Sequence, residues 1–173
     1  MASIAGALLL TSCAGPSSTS ASSKTPPAAS NPAGASLAIA LKGSARVFFR
    51  AGNFEQSYSL QTESGQTNSI DPGGGQAYLD FGSSSTQRLG VTVVGGGASG
   101  ATLKGPDKVL ALFDDSVARE GGISTVGQGL CVFALTEFGS GGLGGELDCE
   151  NVAPAMGASA PVRFQASISM TPS

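Results

Sequence analysis

The sequence predicts an all-β protein, an antiparallel β-sandwich of immunoglobulin-like or similar Greek-key type with about eight strands. From residue 37 onward, short apolar runs alternate with clusters of Gly, Ser, Asn and Asp, which is typical of strands joined by tight turns. Residues 162–170 also alternate apolar and polar residues strictly, so this segment has one apolar and one polar face. Many such segments at close spacing favour an antiparallel fold.

The earlier strands are short apolar runs, in most of which large apolar residues recur at every second position. They are predicted over residues 37–41, 45–50, 54–60, 76–81 and 88–94. The glycine-rich segments 71–75 and 95–97 lie among these strands and are interpreted as turns, because neither has the frame of a phosphate-binding loop.

The segment 109–113 fits two secondary structures. Leu110, Phe113 and Val117 would share one face of a helix that begins near Pro106. A Gly-Pro pair before the segment and a Gly-Gly pair after it are typical of turns, which favours a strand. Asp114 and Asp115 are interpreted as part of the polar turn that follows.

Cys131 and Cys149 are predicted to form a disulfide across a β-hairpin. Ser140 lies halfway between them in a Gly-Ser-Gly-Gly turn. A hairpin centred there places the cysteines directly opposite each other, at a Cα separation that a disulfide accepts. The same alternation puts both cysteines on the apolar face. The other face carries an acidic row, interpreted as a solvated outer surface rather than a Ca²⁺ site: Glu146, Asp148 and Glu150.

Residues 1–12 have the features of an export signal. Apolar or small residues fill positions 4–10, a run too short to span a bilayer. The tetrad Leu10-Thr11-Ser12-Cys13 resembles the bacterial lipobox. That resemblance implies cleavage before Cys13 and acylation of its thiol and of the new amino group. Because a single acyl chain binds a membrane only marginally, two or three chains on Cys13 would be needed for a stable anchor.

Residues 13–36 are expected to form the acylated cysteine and a flexible linker. After Cys13 the segment contains Ser, Thr, Pro, Ala, Gly and Asn with one charge, Lys24, and no large apolar residue. Such a segment cannot bury enough surface to offset its ordering entropy. The β-sandwich domain is therefore expected to cover residues 37–173.

The C-terminal part of the chain resembles small bacterial surface lipoproteins of the actinobacterial type. The resemblance rests on Cys131, an alternating strand, a glycine-rich turn, the sequence GGELDC ending at Cys149, and a final strand that ends near Pro172. It implies an exposed, acylated β-sandwich domain that is extracytoplasmic and anchored to the membrane of the cell envelope.

The composition excludes several kinds of chemistry. The chain has no His, so it can form neither a Ser-His-Asp nor a Cys-His catalytic set and offers no imidazole metal ligand. Nine cationic and twelve anionic side chains give a net charge of −3, so we expect no nucleic-acid partner. We expect no catalytic residue, no cofactor and no metal. Acid–base chemistry would require two of these carboxylates to converge in a cleft: Asp80, Glu137, Asp148 and Glu150.

Two functions follow as hypotheses. The first is a lipid-anchored cell-envelope protein that presents a non-catalytic binding or structural domain to a protein or lipid partner. The alternative is a carrier that holds an apolar lipid or glycolipid between its sheets, which an aromatic-lined internal void would favour. Three aromatic residues fall on the outward side of their predicted strands and are candidates for a contact surface: Phe48, Tyr78 and Phe138.

Overall fold

A computed structural model describes residues 37–83, 85–115, 123–125, 130–152, 154–156 and 162–173. This part of the chain is all-β, as predicted, and it contains twelve antiparallel strands where the sequence predicts about eight. In chain order the strands are β1 (Ile39–Ala51), β2 (Phe54–Gln61), β3 (Ser69–Asp71), β4 (Gln76–Gly82), β5 (Gln87–Val94), β6 (Thr102–Lys104), β7 (Val109–Asp115), β8 (Ile123–Thr125), β9 (Leu130–Gly139), β10 (Gly142–Val152), β11 (Pro154–Met156) and β12 (Val162–Pro172).

The predicted signal and linker, residues 1–36, lie outside the described residues. The acylation of Cys13 therefore stays a prediction from the sequence. Among the residues that the structure describes, there is no helix long and apolar enough to cross a membrane.

The strands form one hydrogen-bonded path in the order β11-β8-β7-β5-β4-β3-β1-β12-β10-β9-β6, with β2 also paired to β1. β1 divides this path into two groups. We call β3, β4, β5, β7, β8 and β11 the first sheet, and β2, β1, β12, β10, β9 and β6 the second sheet. One edge of β1 pairs with β12, while its other edge is shared by β3, at Ile39 and Ala40, and β2, along residues 44–51.

β1 is a single strand of 13 residues, which corrects the prediction of separate strands at residues 37–41 and 45–50. The Gly-Ser pair between those segments does not break the strand. At Gly43 a Cβ atom would meet the main-chain oxygen of Ser169 and would lie 2.9 Å from the Cα atom of Met170. Glycine therefore allows β12 to approach closely at this point instead of ending β1.

The predicted apolar faces of β4, β5 and β12 are buried, whereas Phe54 and Tyr58 of β2 are partly buried. The alternate residues of β12 confirm the predicted pattern, since Val162 and Phe164 are buried whereas Ser167 is exposed. Phe113 of the first sheet packs against two rings of the second sheet, with ring centroids 5.1 Å from Phe49 and 5.9 Å from Phe164. These contacts join the apolar faces of the two groups of strands into one core.

The segment 109–113 is a strand, which confirms the prediction that the sequence favours over a helix. Leu110 is 48% exposed and Phe113 is fully buried, so the two side chains lie on opposite faces, as expected with a repeat of two residues. The interpretation of Asp114 and Asp115 as part of a polar turn is wrong. Both belong to β7, where they pair with Arg88 and Gln87 of β5, and the side chain of Asp115 is buried.

The disulfide between Cys131 and Cys149 is present, and the two residues are directly opposite each other with a Cα–Cα distance of 4.1 Å. The hairpin that places them differs from the predicted one. Its turn contains only two residues, Ser140 and Gly141, because Gly139 already pairs with Gly142. Continued without interruption, this register would place Cys131 opposite Glu150 rather than opposite Cys149.

A β-bulge restores the cysteine pairing. Glu137 pairs with Gly144 and Leu135 pairs with Gly145, so Thr136 is an extra residue on β9. Between the bulge and the turn, the extra residue also exchanges the inward-facing and outward-facing positions of β9. Phe138 is therefore buried, at 6% exposure, which corrects its prediction as an outward residue.

Deleting Thr136 should leave the disulfide intact, because the pairs on either side of the bulge then join into a regular ladder. The test counts thiols under denaturing conditions in a Cys13→Ser background, where the deletion variant should show none. Deleting Asp148 from β10 is the matched control. It increases the mismatch between the strands and should yield two thiols. A Thr136 deletion that frees both thiols would instead support a hairpin centred on Ser140.

Candidate functional site

A groove of about 820 Å³ lies on the outer face of the second sheet. Outward side chains from β2, β1, β12, β10 and β9 line it in two rows that cross the strands. Directly paired residues of neighbouring antiparallel strands point to the same face, so the strand register aligns each row. The first row is Ser59, Arg46, Ser167, Glu146 and Ala134. The second row is Ser57, Phe48, Gln165, Asp148 and Val132.

The groove is open because half of its ten outward side chains are small. Serine, alanine and valine occupy both ends of each row, and the larger side chains stand in the middle strands. The five strands lie about 4.7–4.9 Å apart, so the rows extend roughly 19 Å across the sheet. The site therefore fits an elongated ligand better than a compact one.

The acidic row of β10 faces outward as predicted, and hydrogen bonds hold its side chains in place. Asp148 accepts hydrogen bonds from Arg163, at 2.8 and 3.3 Å, and from the amide of Gln165, at 3.2 Å. Arg163 also forms an ion pair with Glu150 at 3.2 Å. Glu146 accepts a hydrogen bond of 2.7 Å from Ser167. These carboxylates are thus oriented by neighbours on β12.

Two side chains of β1 give the groove an aromatic ring and a free cation. Phe48 is 37% exposed and stands directly opposite Gln165 and Ser57 on the two neighbouring strands. Arg46 is exposed and, within the part of the chain that the structure describes, has no ion pair or side-chain hydrogen bond. Both groups are available to a ligand.

The residues singled out in the sequence are dispersed in the structure. Of the three aromatic candidates, Phe48 lies in the groove, Phe138 is buried, and Tyr78 is 43% exposed on the outer face of the first sheet. Asp80 is on the first sheet, where Arg88 donates hydrogen bonds of 2.8 and 2.9 Å to it.

The remaining carboxylates lie on the second sheet. Asp148 and Glu150 come together, and their shared partner is the guanidinium of Arg163. Glu137 is near the turn of the β9–β10 hairpin, at the residue paired with Gly144. Among the described residues no group of three or more Cys, Asp and Glu side chains has an arrangement able to hold a metal ion.

Sequence reasoning did not select Arg46 and Gln165. A lone Arg and a lone Gln within alternating strands carry no local signal, since surface strands commonly present such residues. The feature that distinguishes them is their place in the rows, opposite Ser167 and Phe48 respectively. That feature depends on pairing between β1 and β12, which are far apart in the chain.

The space between the two sheets contains packed aromatic rings. Phe113 contacts Phe49 and Phe164, and the ring of Tyr58 also lies 5.7 Å from Phe113. A carrier of the kind hypothesised from the sequence would require these rings to separate. The groove lies on the opposite face of the second sheet from this cluster.

Comparison of the chain with models of protein families, with curated proteins and with solved structures finds no match.

A partly buried hydrogen bond connects β2, at one end of the groove, to the first sheet, and no local pattern in the sequence predicts it. The hydroxyl of Tyr58 on β2 donates to the carboxylate of Asp115 on β7, which also accepts a hydrogen bond of 3.1 Å from Gln87. Burial, followed by the hydrogen bond and the charge of Asp115, raises the pKa of Tyr58 above its ordinary value. Tyr58 therefore keeps its proton in the folded protein at pH values where a free tyrosine ionises.

Replacing Tyr58 by Phe should lower the free energy of unfolding by about 1–3 kcal/mol at neutral pH, because the buried Asp115 loses a hydrogen-bond donor. The difference from the wild type should be constant below pH about 9 and should shrink above pH about 10. There Tyr58 ionises in the unfolded chain but stays protonated in the folded one, so the wild type alone loses this stability. Urea denaturation at pH 7, 9 and 11 measures the difference. A constant difference across this range would contradict the assignment.

Proposed function

We propose that the protein is a lipid-anchored protein of the cell envelope whose strand-rich domain is a non-catalytic binding module. The groove on the second sheet is its binding surface. The observation that carries the proposal is the alignment of two rows of outward side chains across five strands. On β1 these rows contain an exposed ring and a guanidinium that has no partner among the described residues. The partner reaches this surface from outside the protein.

The anchoring part of the proposal rests on the sequence. The lipobox-like tetrad at residues 10–13 precedes a segment without large apolar residues, which would hold the domain away from the membrane. The disulfide between Cys131 and Cys149 fits this location, because such bonds persist in oxidising compartments outside the cytoplasm.

A binding module is favoured over a carrier because the region between the sheets is filled, whereas the outer groove is open. The ring cluster around Phe113 occupies the region between the sheets, whereas the groove is open to solvent. A ligand can therefore bind the outer face without disrupting the core, while carriage between the sheets would first have to separate packed aromatic groups.

Metabolic labelling with a fatty acid in the native host should mark the wild-type protein and should not mark a Cys13→Ser variant. The double variant Cys131→Ser/Cys149→Ser is the matched control. It keeps Cys13 and should be labelled, whereas the loss of its disulfide leaves acylation unaffected. Equal labelling of the Cys13→Ser variant and the wild type would refute the anchor.

A second experiment tests the binding surface without the anchor. The full-length Cys13→Ser protein should co-sediment with cell envelopes isolated from its host. Adding Ser167→Arg, which fills the groove and sets a cation beside Glu146, should weaken this binding roughly tenfold or more. Leu110→Arg places the same side chain on the outer face of the first sheet and should leave binding unchanged. Equal binding by both variants, or no binding by their parent, would contradict the assignment.

A further inference from the structure

The charges of the groove nearly balance. The cationic side chains of this face include Arg46, Arg163, and Lys104, which pairs with Val132 at the end of the second row. The anionic ones include Glu146 and the two carboxylates that share Arg163, Asp148 and Glu150. A strongly anionic or cationic polymer would therefore meet no field of opposite sign along the rows. The electrostatics favour a ligand with many polar groups and little net charge.

Phe48 offers one flat apolar surface in otherwise polar surroundings. Its directly opposed neighbours are Gln165 and Ser57, and its own side chain is 37% exposed. A protein partner is usually bound through several apolar residues clustered at the centre of the interface. A single ring bordered by polar groups instead suits a ligand that has one apolar face and a polar rim. The C–H face of a sugar ring, bordered by hydroxyl groups, has this form.

The groups beside the ring are planar and able to bind hydroxyls. Asp148 is oriented by Arg163 and by the amide nitrogen of Gln165, which leaves the amide oxygen of Gln165 available as an acceptor. Arg46, in the adjacent row, is a donor without an ion pair among the residues that the structure describes. A sugar hydroxyl both donates and accepts hydrogen bonds, so it can be satisfied by a carboxylate on one side and by an amide or guanidinium on the other.

We infer that the groove binds a neutral oligosaccharide or a neutral segment of a longer glycan. One sugar ring stacks on Phe48 and its hydroxyls bond to Gln165, Asp148 and Arg46. The rows are long enough for further sugars on both sides, over the small side chains that end them. The inference rests on the proposed function, since it names the ligand class of the same surface.

The test uses the full-length Cys13→Ser protein on an array of neutral oligosaccharides built from hexoses, pentoses and N-acetylhexosamines, together with uronic-acid and sulfated counterparts. We expect binding to at least one neutral member in preference to its charged counterparts. Calorimetric titration with that oligosaccharide should then show that Phe48→Ala weakens the affinity by about tenfold or more. Tyr78→Ala removes an exposed aromatic ring from the first sheet and should leave the affinity unchanged.

Three results would overturn the inference: no binding to any neutral oligosaccharide, preference for the charged ones, or an affinity that survives Phe48→Ala. The proposed function fails separately. If Ser167→Arg abolishes co-sedimentation with envelopes but no oligosaccharide binds, the groove remains the binding surface and its ligand belongs to another class. If Ser167→Arg has no effect on co-sedimentation, the surface itself has been wrongly assigned.

Discussion

The architecture depends on the hydrogen bonding of β1, which pairs with three other strands and connects the two sheets. Because side chains alternate along a strand, β1 contributes to the core and to the groove at the same time. Val47 and Phe49 are buried between the sheets, whereas Arg46 and Phe48 line the groove. The close approach of β12 at Gly43 keeps β1 continuous, so one backbone fixes both sets of side chains.

The fold class could be predicted because burial on one face of a strand leaves a local trace of period two. The alternation in β12 predicts its strand for this reason, whereas the strand at 109–113 is predicted by the turn-like Gly-Pro and Gly-Gly pairs on either side of it. The bulge at Thr136 left no such trace, since an extra residue is visible only against its partner strand. The prediction that Phe138 faces outward is wrong for this reason. Adjacent Asp residues are typical of a turn, so the sequence predicts one at Asp115, whereas Tyr58 and Gln87 bind its carboxylate inside the fold.

The groove could be predicted only in part. Phe48 and the acidic row were assigned to the outer face from alternation alone, and the structure confirms both assignments. Their assembly into rows requires the register between strands that are distant in the chain, such as β1 with β12 and β12 with β10. Alternation gives the face of each residue, but long-range pairing determines which residues become neighbours. Gln165 acquires its place beside Phe48 in this way.

The attachment of β2 has a consequence for the energetics of recognition. Adjacent residues of this strand serve different layers, because Ser57 and Ser59 form one end of the groove while Tyr58 between them is bonded to Asp115 of the first sheet. β2 cannot move away from β1 without breaking that partly buried hydrogen bond. The groove is thus preorganised, and a ligand need not spend binding free energy on ordering that wall.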